Sequence, residues 1–444
     1  MLFENYNIVE SSGLIIFHNA NIKNKQIFAL VVAFFFPFIG LFYTLYHWRA
    51  KWAKNVFWLL CVYMGAVHVY WPEGAILGMG SDGERYFLML ISWHQLNYSF
   101  KTIFQNYLVD QNTMDLYQQL ITCTVSKFTD NGHVLFSIFA FVFGFFYSRN
   151  IWYILEKMPK VIPKKYFILI TLYFLVSPIY HINGVRMWTA LHVYVYALMP
   201  FLLENKKNKL WMLLFTPFIH FSYLYVMCLA AIYAFCPFKL KMKNNFFYLF
   251  ALIFFIVTLF ITSINLNVVS ELLTEYSPDA YSTRIGSYAN QNILERNIQR
   301  QSLNNWYVAG SFNIKYWCYS ILIITIIYFS SIEIKYRYRH LCLFILLLGG
   351  ISNLMSLIPS GARFIYLTQM FIIPFILLVS FQIDNYLFKK IINIMLLMLV
   401  IPFVVDIRRL FDMYSITLLF GNFITVSFWE NNVPLITYVK MMVL

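Results

Sequence analysis

Runs of mostly apolar residues recur along the whole chain, and the loops between them alternate in charge. The stretches 27–46, 56–71, 134–147, 166–180 and 246–262 are examples. Each approaches the roughly 20 residues that a helix needs to cross a bilayer. Loops 49–54, 149–165, 204–209, 239–243, 333–339 and 384–390 hold 19 Lys/Arg against 4 Asp/Glu. The intervening loops 72–132, 181–186, 267–315, 359–363 and 406–412 hold 11 against 12. Positive loops stay cytoplasmic, so the second set is expected to face outward. The pattern predicts an all-α polytopic membrane protein: one integral membrane domain over 1–444, with about 11–13 transmembrane or re-entrant helices.

Composition narrows the function classes. Hydrophobic residues make up 61% of the chain and charged residues 12%, which excludes an ordinary soluble domain. The net charge of +14 resides largely in the basic loops, so anionic lipid headgroups account for it and no nucleic-acid partner is expected. Six cysteines are scattered, five in or beside apolar runs and only Cys123 expected to be exposed. No disulfide framework follows, and no CxxC or HExxH spacing points to a metal. The run from residue 27 lacks a cleavage pattern and is read as the first membrane anchor.

Helices are expected at 27–46, 55–71, 133–148, 166–180, 187–203, 245–266, 316–332, 341–358, 364–383 and 391–405. The stretch 210–236 differs from these. Basic loops flank both its ends, it is too short for two crossings, and Pro217 interrupts it. A broken hairpin whose bend is covered by protein satisfies all three facts. The tail 413–444 holds another apolar run whose course the pattern does not decide.

Two outward segments are long enough to fold. In 72–132, Ser81 and Glu84 form a capping-box pattern that opens a helix. Further on, Met114, Tyr117, Leu120, Ile121, Thr124, Val125 and Phe128 recur at helical spacing, as on an amphipathic outer helix. The second segment, 267–315, is rich in Asn, Gln, Ser and Tyr, with Asn290–Gln291–Asn292 and Asn304–Asn305–Trp306. Such side chains suit sugar hydroxyls and sugar C–H faces, and equally an ordinary polar loop.

Runs 27–46, 55–67, 246–262, 341–358 and 364–383 contain no Asp, Glu, Lys or Arg. That speaks against an ion-coupled transporter, which keeps charges near the midplane. The chemically suggestive residues lie instead at the outward ends of helices. Arg186 follows His181–Ile182–Asn183–Gly184–Val185, where Asn183 is expected to cap the helix and place Arg186 in its first turn. Arg363 follows Pro359–Ser360–Gly361–Ala362 in the same arrangement. Both stand where free N–H groups and the helix dipole favour an anion, and a guanidinium matches a phosphate with paired hydrogen bonds. Either can also be an interfacial arginine snorkelling to headgroups. Asp82 and Glu84 serve a helix start, or Asp82 acts as a general base; an Asp-x-Glu pair is also a weak divalent-cation pattern. His220, beside the Pro217 break, is a packing histidine or a titratable group in a cavity.

Taken together these residues resemble the EpsG family of bacterial polysaccharide polymerases, which are functionally akin to the Wzy O-antigen polymerases. The resemblance runs from about residue 27 to 405. It rests on Asp82 with Tyr86, Asn183 with Arg186, His220 with Ser222, and Arg363 with Tyr366; Glu84 is not part of it. It implies a glycosyltransferase with a GT-C-like helical fold in the bacterial cytoplasmic (inner) membrane, its active site facing the periplasm. Donor and acceptor would be oligosaccharide repeat units linked through pyrophosphate to a polyprenyl lipid, held in membrane lipid, with a chain-length regulator as a possible partner protein and no cofactor required. Arg186 and Arg363 are expected to stabilise the departing lipid pyrophosphate. Asp82 is the expected base for the acceptor hydroxyl, with His220 as rival. Tyr86, Asn183, Tyr366 and, on grounds of side and charge, Arg284 complete the expected pyrophosphate and glycan contacts. The competing expectations are a lipid-linked oligosaccharide flippase, an O-antigen ligase, and a scaffold for an export complex.

Overall fold

The computed structural model describes residues 12–70, 81–108, 115–235, 245–265, 305–428 and 433–443, with isolated positions between 268 and 299. Helices dominate these residues. Their only β pairing is two isolated bridges, His68 with Tyr414 and Ser415 with Pro434. Among the described residues, five segments are long and apolar enough to cross a membrane: Gly132–Leu155, Lys164–Glu204, Trp306–Phe329, Arg363–Gln382 and Tyr386–Met413. The chain is therefore all-α with membrane-spanning character, as backbone satisfaction in a bilayer requires.

The first apolar run is not one span. Helices α1 (Ser12–Phe35) and α2 (Pro37–Tyr46) fold back on each other. The rings of Phe28 and Tyr43 lie 5.3 Å apart, whereas that stretch of straight helix would separate them by about 22 Å. Pro37 is the cause: it has no N–H, and its ring excludes the carbonyl one turn back. The close approach uses Gly40, where a Cβ would sit 2.6 Å from Ala33 Cα. The expected anchor over 27–46 is thus a hairpin.

Helix α3 (Ala53–Ala66) packs along α7 (Gly132–Leu155). Small residues let the backbones meet, since a Cβ on Gly65 would lie 2.4 Å from Ala140 Cβ. Between them in sequence, α4 (Asp82–Gln95), α5 (Phe100–Leu108) and α6 (Tyr117–Ser126) form a layer over one end of the bundle. Cys123 is buried in this layer rather than exposed. Helix α8 (Phe167–Val176) stops at Ser177–Pro178, a 3-10 turn follows over Ile179–Gly184, and α9 (Val185–Glu204) returns.

The stretch after α9 forms the broken hairpin. A 3-10 turn over Leu210–Phe215 runs into α10 (Thr216–Ile219), and the chain turns through His220–Ser222 into α11 (Tyr223–Phe235). Helices α12 (Asn245–Leu259), α13 (Trp306–Phe329), α14 (Ile332–Arg337), α15 (Arg339–Met355) and α16 (Arg363–Val379) follow. Helix α13 starts ten positions before the expected 316, so Lys315 lies inside a helix and not in a loop.

Helices α17 (Tyr386–Met398) and α18 (Val400–Met413) are interrupted only at Leu399, because Pro402 cannot donate to the Met398 carbonyl. The expected loop 406–412 is therefore the last part of a helix. The tail doubles back along α3, where the Tyr63 hydroxyl donates to the Thr417 carbonyl at 2.5 Å. Its final helix, α19 (Leu435–Val443), has 9 residues and is too short to cross.

The basic loops gather at one end. There Arg49 donates to the Pro159 and Lys160 carbonyls at 2.6 and 2.9 Å, and Lys54 meets Glu156 at 3.1 Å. At the opposite end lie the starts of α4, α9 and α16.

Candidate functional site

Asp115, just ahead of α6, is the hub of that opposite end. Its Oδ2 accepts from Arg186 Nη1 at 2.9 Å and lies 3.1 Å from His220 Nδ1. Its Oδ1 accepts from the Phe221 N–H at 2.8 Å. The next residue, Leu116, donates its N–H to the Phe218 carbonyl at 2.9 Å. The bend of the broken hairpin is thereby stitched to the α6 segment by backbone and side chain together. Arg186, in the first turn of α9, also donates from Nε to the Tyr86 hydroxyl at 3.1 Å. Two elements, α9 and the hairpin bend, converge on one carboxylate, and α4 joins them through Tyr86 on Arg186.

The Asp115 side chain is 7% exposed, and a buried charge must be met by donors. Burial alone would raise its pKa; His220, Arg186 and the Phe221 N–H outweigh this and hold it below the ordinary carboxylate range. An ionised carboxylate only accepts, so the His220 nitrogen that faces it, Nδ1, carries a hydrogen. Asp115 thereby fixes how the imidazole is turned.

A second group stands on the other helices of the same end. Lys315 of α13 and Asp406 of α18 form an ion pair at 2.7 Å, with 3% and 2% of their side chains exposed. Arg409, one turn on from Asp406, approaches the same carboxylate at 3.5 Å. The Lys315 ammonium lies 5.9 Å from the centre of the Tyr366 ring. Arg363 opens α16 one turn before Tyr366 and is exposed.

Aromatic rings join the two groups. Trp188, in the helix turn that carries Arg186, meets the Tyr366 ring edge-on at 5.3 Å. His181 stacks on Trp188 at 3.9 Å, and Phe312 lies 5.2 Å from Tyr366. Trp188 thus packs between the helix turn that carries Arg186 and Tyr366 of the second group.

Among the expected site residues, Arg186, Tyr86 and His220 come together through Asp115, while Arg363 and Tyr366 belong to the second group. Asp82 forms an ion pair with Arg85 and borders the turn before α9, its Oδ2 3.6 Å from where a Gly184 Cβ would sit. Asn183 does not cap α9, whose cap residue is Gly184 without a side-chain bond. Its Oδ1 instead accepts from the Gly83 N–H at 3.0 Å, satisfying an orphan donor at the start of α4. Ser81 accepts from the Glu84 N–H at 3.4 Å, the first half of the expected capping box. Arg284 and Asn290–Asn292 lie outside the described residues.

Sequence reasoning missed Asp115, Lys315, Asp406 and Arg409. Asp115 stood immediately before an amphipathic helix, and Asp406 with Arg409 had the three-residue spacing of a helical ion pair. Both signals were available.

Comparison with family models, curated proteins and solved structures returns no match to this chain.

Proposed function

We propose that this protein is a glycosyltransferase of the polysaccharide-polymerase type, akin to the EpsG and Wzy proteins and GT-C-like in arrangement. It joins polyprenyl-pyrophosphate-linked oligosaccharide repeat units at the outer face of a bacterial cytoplasmic membrane. What supports this reading is that the Asp115–His220–Arg186 cluster and the Lys315–Asp406–Arg409 group stand at the same end of the bundle, with Arg363 opening α16 there and Trp188 packed on Tyr366.

In this mechanism an acceptor sugar hydroxyl gives its proton to His220 Nε2. Its oxygen attacks the anomeric carbon of the donor, the bond from that carbon to the phosphate oxygen breaks, and the diphosphate leaves with the electron pair. Arg363 and Arg409 meet the negative charge as it develops, which is where preorganised donors act most strongly. Arg186 holds Asp115 and Tyr86 in place. The imidazole is favoured over Asp82 as the base because Asp82 is occupied by Arg85.

A flippase is the second reading. It draws on the buried Lys315–Asp406 pair, the kind of charge transporters place among their helices. One experiment separates the two. A deletion strain is complemented with wild type, Arg186→Lys, Arg186→Ala or nothing, and its surface glycans are resolved by size. The expected outcome is a ladder with wild type that collapses to single repeat units in the other three, since lysine cannot reproduce the paired guanidinium contacts. Loss of even the single unit in the deletion strain favours the flippase and defeats the polymerase.

A further inference from the structure

The layer formed by α4, α5 and α6 turns an apolar stripe away from the protein. Phe100, Phe104 and Leu108 are exposed and recur every four residues, so they share one face of α5. Ile103 is buried, because the inner side of the helix packs on α6. Fixed contacts hold the stripe in place. Asn97 makes the turn from α4 with a φ of 48°, and Ser99 Oγ accepts from the Thr102 N–H at 3.2 Å where α5 begins. Lys127 Nζ donates to the Asn97 carbonyl at 3.2 Å and to its Oδ1 at 2.6 Å, which joins this turn to the end of α6. Leu96 and Phe128, the chain neighbours of these two bonded residues, are 72% and 83% exposed and extend the patch. Apolar side chains so placed and left uncovered mark a contact surface.

We infer that α5 lies in the headgroup region of the bilayer, on the side of the Asp115 cluster, with Phe100, Phe104 and Leu108 sunk among the lipid acyl chains. Continuity is the first argument for lipid as the occupant. Phe128 leads through residues 129–131 into α7, a span with its own exposed stripe of Val134, Ile138 and Phe141. The patch therefore borders a surface that lipid covers. Charge is the second argument. Residues 93–109 carry Lys101, residues 116–129 carry Lys127, and neither stretch holds an Asp or Glu. An apolar stripe flanked only by cations suits phosphate headgroups. Trp93 and Tyr98 stack at 4.4 Å beside the turn, and such rings favour the headgroup level. In this position α5 holds the start of α6, and Asp115 just ahead of it, at the boundary of lipid and water. The inference concerns a lipid surface and is independent of the reaction proposed above.

The test uses the full chain, its native cysteines replaced, in large nanodiscs of phosphatidylcholine and phosphatidylglycerol. A nitroxide is attached in turn through Phe104→Cys, Leu108→Cys and Gln105→Cys. Its collisions are measured with oxygen, which concentrates in lipid, and with a water-soluble nickel chelate. The oxygen-to-nickel ratio at positions 104 and 108 is expected to exceed that at 105 severalfold, with unchanged thermal unfolding showing that the fold is intact. A ratio at 104 and 108 no higher than at 105 puts the stripe in water and overturns the proposal. Few collisions with either reagent mean that a second copy or another protein covers the stripe, which overturns it equally. A second measurement needs no substitution. A phosphatidylcholine with a photoactivatable group high on its acyl chain should mark peptides containing Phe100–Leu108 and Phe128 of the native chain. Marking confined to the spans would defeat the inference.

Discussion

At the scale of single residues, Asp115 has the largest leverage. Asp115→Asn removes the charge that Arg186 and His220 share and releases the Nδ1 hydrogen that fixes the imidazole tautomer. Breaking a buried pair on one side costs about 3 kcal/mol or more, so a lower unfolding midpoint in detergent is expected together with loss of polymer. The pH dependence has a definite sign. Because the folded carboxyl is held below its ordinary value, its stabilisation is complete above the unfolded pKa of about 3.9 and is lost as pH falls through the lower folded value. Wild type should therefore show no Asp115-linked change between about pH 5 and 8. Asp115→Asn should flatten the acid limb of unfolding; an identical acid limb in both proteins would remove the carboxylate from this role.

At the scale of elements, two departures from the expected helices can be tested. The α1–α2 hairpin places Phe28 against Tyr43. Phe28→Cys with Tyr43→Cys should be joined by a short bis-thiol reagent, and a single straight span would leave the pair unreactive. The ion pair between α13 and α18 gives a different signature. Lys315→Met or Asp406→Leu alone should each cost about 3–5 kcal/mol. The double variant should recover most of that stability without recovering polymer formation, because apolar replacements relieve the desolvation cost but not the lost cation.

The same elements show what the sequence revealed and what it concealed. The break near Pro217, the helix opened by Ser81 and the run of spans follow from proline chemistry, capping and hydropathy, all of which act locally. Lys315 and Asp406 were placed in loops because each charge, taken alone, is too costly inside a bilayer; only their pairing, 91 residues apart in sequence, makes the site habitable. Asp115 was passed over for the related reason that its partners, Arg186 and His220, come from two other elements. Pro37 was visible, but hydropathy does not distinguish a kinked span from a hairpin.

At the scale of the whole molecule, the loop-charge pattern predicts an orientation, and the proposed function depends on it. In a cysteine-free background, Asp130→Cys should react with a membrane-impermeant maleimide in intact cells, and Lys207→Cys only after lysis. The reverse result would put the Asp115–His220 group in the cytoplasm and end the polymerase proposal. The second prerequisite is a stable bundle. Its most enclosed span among the described residues is α16, which is almost wholly buried and touches α8, α9, α13 and α15.

A helix so enclosed, yet so late in the chain, sets an order of assembly. The helices before it must enter the membrane around a gap that only residues 363–382 can fill. Until those residues leave the ribosome, the aromatic wall lacks Tyr366 and the cationic group lacks Arg363. The aromatic wall is completed when α16 follows, and the cationic group only later, when α18 brings Asp406 and Arg409. A chain truncated before α16 should accordingly be a target for quality control, because what it lacks is its keystone.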